Sequence, residues 1–272
     1  MASEKPNWPH LNEKPILNEP FKPFNINKTL KLEESVPLEK EIEKPSAGSR
    51  LKEAVNLYQA EEWKNALTEL LRIDGESLSD KGQLELAYYL GLSYAKLERF
   101  NEALPHFDKV IAKENDPLRI YQCRMTLAYI YVTTKREKQA EFELRQLEKS
   151  GFESASMYNT LAYAAYAQKR LKDAIELYEK ALELDENNST AMNSMGYILV
   201  DSGINPLKGL RLCNKALERR PRSAAYLDSL GWAYYKCGDA SQARSLLAKA
   251  MEIAPKEREI REHFKIINGG VV

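Results

Sequence analysis

Asn159 stands four residues ahead of Tyr163, Asn193 four ahead of Tyr197, and Asp228 four ahead of Trp232. On a helix that spacing places the two side chains of each pair one turn apart on the same face. The chemistry such rows offer is recognition rather than bond-making. An asparagine amide both donates and accepts, so it can pair with a peptide backbone, and aromatic planes cover side chains or prolines at low entropy cost. Tyr129 takes the aromatic position one period earlier, where Met125 replaces the polar partner.

Catalytic spacings do not accompany these rows. His10, His106 and His263 lie far apart, with no HExxH pattern, and each reads as a surface or packing residue. Cys123, Cys213 and Cys237 form no CxxC pair, which argues against a disulfide framework and a zinc knuckle. Cys213 reads as core and Cys237 as a turn residue. No GxxxxGK loop is present, and no Ser or Cys has a base and an orienting group at a suggestive spacing. The expectation is a protein that is not an enzyme and uses no cofactor or metal.

Lys+Arg and Asp+Glu both total 40, so no net field favours nucleic acid or an acidic membrane. No apolar stretch is long enough to cross a bilayer. The first residues, Met-Ala-Ser-Glu-Lys-Pro, lack a signal-peptide core and predict a cytoplasmic protein. A leader replaced by Met-Ala-Ser would instead leave a periplasmic or envelope-tethered one.

The elements that must position the rows fall into three segments. Residues 1–49 hold seven of the twelve prolines and read as a disordered, proline-rich arm. Within it Phe21 and Phe24 form a candidate docking motif, acting in cis or in trans. Residues 50–256 carry a helical signature that returns about every 34 residues. Small residues recur in it: Ala128, Ala162, Gly196 and Gly231 in one set, and Ala66, Ala103, Ala140, Ala174 and Ala243 in a second. A period of this length means a solenoid of stacked hairpins, in which small residues allow close helix approach. Residues 257–268, with Ile260, Phe264 and Ile267 on one side, read as a capping helix.

These residues resemble tetratricopeptide repeats, in which two antiparallel helices form each unit. The resemblance implies an all-α, right-handed superhelix of about six hairpins, at roughly 50–74, 84–116, 121–150, 155–187, 189–222 and 224–256. It further implies that first helices line a concave groove, so that Tyr129, Asn159, Tyr163, Asn193, Tyr197, Asp228 and Trp232 face a ligand. The last two units are similar to the closing pair of many bacterial repeat proteins, several of them envelope lipoproteins or assembly factors.

The function expected is a scaffold that binds an extended peptide or partner segment. The alternative is an assembly subunit of a bacterial envelope complex acting through oligomerisation; the sequence leaves the oligomeric state open. Two departures stand out. Residue Glu53 occupies a position where leucine is usual. The fifth unit has an extra residue near Asn205-Pro206, with Gly209 in place of alanine, and predicts a distorted turn.

Overall fold

The computed structural model describes residues 46–269, so the arm with Phe21 and Phe24 lies outside the described residues. Among these, thirteen α-helices and one 3₁₀ turn account for the regular structure, with no strand. They group into two compact units that divide within a helix, between Tyr131 and Val132.

The first unit holds α1 (Ala47–Gln59), α2 (Trp63–Leu71), α3 (Asp80–Lys96), α4 (Phe100–Lys113) and most of α5 (Pro117–Thr133). Its helices pair as hairpins because small residues sit at the crossings: Ala66 and Ala103 are fully buried, and a Cβ added to Gly91 would lie 2.9 Å from Phe107 Cε1. Successive first helices are tied across the repeat, with Tyr88 of α3 donating to Gln122 Oε1 of α5 at 2.6 Å.

The second unit holds α6 (Glu137–Lys149), α7 (Ala155–Ala167), α8 (Leu171–Leu184), α9 (Ser189–Asp201), α10 (Pro206–Arg219), α11 (Ala224–Lys236), α12 (Ala240–Ile253) and α13 (Arg258–Ile267). First helices α7, α9 and α11 start at side-chain caps that the sequence supplies. Ser154 accepts from Met157 N, Asn188 from Ala191 N and Ser223 from Tyr226 N, each cap typically contributing about 1 kcal/mol.

The hairpin turns follow one plan. In five of them the middle residue has positive φ, at Glu61, Glu98, Lys135, Lys169 and Gly238. In the turns at Glu61, Glu98, Lys169 and Gly238 the next residue donates back five positions: Glu62 to Leu57, Arg99 to Tyr94, Arg170 to Ala165 and Asp239 to Tyr234. These bonds satisfy carbonyls that a helix end leaves open.

The fifth repeat departs as its sequence suggests. Its turn is longer by one residue, and Asn205 N reaches back to Leu199 O at 3.2 Å. Gly209, in the place of the alanine of other repeats, lies at the helix crossing. A Cβ there would lie 2.5 Å from Gly196 O, while one on Gly196 would lie 2.9 Å from Gly209 O. Both glycines let α9 and α10 approach backbone to backbone, which alanine would prevent.

Candidate recognition face

The first helices α7, α9 and α11 carry six of the seven residues of the expected rows, all in the second unit. Tyr129 belongs to the first unit, where its half-buried ring meets Phe100 edge-to-face at 6.4 Å.

Asn159 is 6% exposed, and its Nδ2 donates to Asn188 Oδ1 at 3.0 Å, which binds it to the cap of the next first helix. Its own Oδ1 has no partner, and neither has Asn193 Oδ1, on a residue 3% exposed. A buried acceptor left open costs roughly 1–3 kcal/mol, and these two lie one repeat apart. Tyr58, Ser93 and Thr133 also bear unpartnered buried hydroxyls, but outside the rows.

Tyr163 is half-buried, and burial pushes its hydroxyl up to about 12, with the Glu137 and Glu259 carboxylates adding to the rise. Burial likewise lifts Tyr197, again with Glu259 contributing. Both hydroxyls are therefore neutral donors and acceptors, not charged groups. Cys213, at the α9–α10 crossing, is pushed up to about 12 by burial and stays a thiol. That leaves it unreactive.

At the other end of the rows, Asp228 and Trp232 are already engaged. His263 of α13 places Nδ1 3.0 Å from Asp228 Oδ1 and 2.9 Å from Oδ2. Its ring stacks on Trp232 with centroids 4.2 Å apart and planes at 15°, and it lies 6.2 Å from the Tyr197 ring. Trp232 Nε1 donates to Asp201 Oδ1 at 3.0 Å. Burial alone would depress His263. The Asp228 charge and hydrogen bond, helped by Glu259 and Asp201, outweigh it and raise the imidazole above its ordinary value. Glu259 brings a third ligand-type atom within 4.8 Å of Asp228 and His263. Nδ1 is held against both Asp228 oxygens, and the contact is an ion pair whenever the imidazole is protonated.

Sequence reasoning placed His263 as a surface or packing residue and did not see this pair. The available signal was its position between Ile260 and Ile267 on the apolar face of α13, opposite a row that ends in an acid.

Residues 155–188 and 223–254 each match the tetratricopeptide repeat family. The chain is a tetratricopeptide-repeat protein. A TPR repeat-containing protein of Pseudomonas aeruginosa is 24% identical over 169 residues, which cover 62% of this chain. That match spans only 28% of the relative's own length. Among solved structures, a tetratricopeptide repeat protein from Parabacteroides merdae superposes with a TM-score of 0.68 at 13% identity, covering 82% of this chain and 87% of its own. YrrB, a TPR protein with an unusual peptide-binding site, gives 0.51 at 19% identity over 66% of this chain and 91% of its own. At these identities the structural likeness establishes the fold. As a tetratricopeptide-repeat protein the chain has a scaffold suited to protein–protein interaction, and among the described residues no helix is long and apolar enough to cross a membrane.

Proposed function

We propose that this chain binds a segment of a partner protein along the face lined by α7, α9 and α11, without catalysing a reaction. The observation that carries this reading is the pair of unpartnered, buried carbonyl oxygens on Asn159 and Asn193. Their one-repeat separation suits two donors on a single bound segment, such as backbone N–H groups. Tyr163 and Tyr197, a helical turn away, supply neutral aromatic cover. YrrB, with its peptide-binding site, is a structural precedent for a repeat array used in this way.

The test replaces both asparagines with alanine and compares capture from a cell lysate with that of the wild-type chain. Circular dichroism should stay unchanged while specific partners are lost. Equal recovery by the double variant would remove the basis for the reading. Repeating the capture without residues 1–49 shows whether Phe21 and Phe24 serve this face.

A further inference from the structure

Asp228, Glu259 and His263 each bring one ligand-type atom to within 4.8 Å of the other two. Asp228 and His263 are buried, and Glu259 is half-buried. Two helices supply the three. Glu259 and His263 stand four residues apart on α13, which places both side chains on one face. Asp228 meets them from α11. Histidine and cysteine spacing alone predicted no metal site, because these members come together only when α13 packs on α11.

The geometry suits a small divalent cation. Zinc holds imidazole nitrogen and carboxylate oxygen at about 2.0–2.2 Å, so two ligand atoms on one ion stand roughly 3.0–3.5 Å apart. His263 Nδ1 lies 3.0 and 2.9 Å from the two Asp228 oxygens, at the near edge of that range. The Glu259 carboxylate can close the remaining gap by a side-chain rotation. Charge points the same way. Within the group an imidazolium balances one of two carboxylates, whereas a divalent ion on a neutral imidazole balances both, and carboxylates this close repel unless a cation lies between them.

The imidazole plane is already fixed. His263 stacks on Trp232 with centroids 4.2 Å apart, and Trp232 Nε1 in turn donates to Asp201 Oδ1 at 3.0 Å. Outer contacts of this kind orient metal ligands. Half-buried Glu259 gives the group an edge to solvent by which an ion can enter. We propose that Asp228, Glu259 and His263 bind a zinc-class divalent ion, which clamps α13 to α11. Three protein ligands leave the fourth tetrahedral position to water. In the metal-free chain a proton on His263 takes the place of the ion. The site is independent of partner binding at Asn159 and Asn193.

The experiment titrates zinc chloride by calorimetry into the full chain, stripped with chelator, at about pH 8, where the imidazole can give up its proton. One equivalent should bind and raise the thermal midpoint. His263→Gln and Glu259→Gln should each weaken binding at least about tenfold. Cys237→Ser removes the exposed thiol and should leave it unchanged. Amide exchange on the wild-type chain needs no substitution: zinc should slow residues 258–267 and leave α7 as it was. No saturable binding, or binding that both glutamine variants keep at full strength, overturns the proposal. Zinc that binds without slowing residues 258–267 overturns it too, because the ion then sits elsewhere.

Discussion

His263 Nδ1 sits 2.9 Å from Asp228 Oδ2, an ion pair in which both side chains are at most 4% exposed. It joins the last described helix to a first helix of the array through a contact whose strength depends on protonation. A buried pair of this kind adds little net stability over an apolar contact, yet leaving one member alone is costly. α13 is joined to the array by its contacts with α11 and α12, so disruption of the pair should loosen this helix before the internal hairpins.

That pair sets a pH dependence. The imidazole is raised above its ordinary value of about 6.5. Its contribution is fully present below that value and is lost as pH rises through the folded one. The groups that face it are Asp228 and Asp201 from the first helices and Glu259 from its own helix. Amide exchange of residues 258–267, corrected for intrinsic rates, should accelerate between pH 6 and pH values above the folded titration. His263→Gln should flatten the profile. An unchanged slope in that variant would show that another group controls the docking.

The hairpin architecture was legible in the sequence because each repeat leaves its own mark, a small residue at each crossing. The extra residue near Asn205 was legible for the same reason, since it breaks a fixed count. Gly209 stands where the other repeats carry alanine, but its type alone does not say how closely the helices approach; the constraint is Gly196 O at 2.5 Å from a would-be Cβ. The His263–Asp228 pair was not legible either, because nothing local to residue 263 says which first helix α13 meets. The positive φ of Glu61, Glu98, Lys135 and Lys169 was not legible either, since none is a glycine.

Gly209→Ala should destabilise the second unit. Its Cβ would meet Gly196 O at 2.5 Å and Val200 Cγ2 at 2.6 Å, and backbone cannot move aside as a flexible side chain can. Overpacking of this sort costs roughly 1–3 kcal/mol, enough to lower the midpoint of urea unfolding clearly. Gly48→Ala is the control, with nothing within 4 Å of the added carbon. Equal midpoints for the two variants would contradict the close crossing.

The turns give a paired expectation of opposite sign. Lys169 adopts φ 63° without being glycine, whereas Gly238 uses the same kind of position at φ 92°. A non-glycine residue in this region carries a strain of about 1 kcal/mol. Lys169→Gly should therefore be neutral or slightly stabilising, while Gly238→Ala should lose about 1 kcal/mol. Thermal unfolding of the two single variants decides it, and a loss at both sites would mean that Lys169 contributes through its side chain instead.

Asn193 separates binding from stability. Its Oδ1 is buried without a partner, so the folded chain bears a desolvation cost that a ligand would relieve. Asn193→Leu, close in volume, removes that acceptor. Stability should then hold or rise by up to about 1 kcal/mol. Asn159 differs because its Nδ2 bonds Asn188 Oδ1 at 3.0 Å, so Asn159→Leu should lose about 1 kcal/mol with that bond. Both substitutions should weaken partner capture. If Asn193→Leu lowers the unfolding midpoint as much as Asn159→Leu does, its amide is serving the fold, and the case for a ligand there fails.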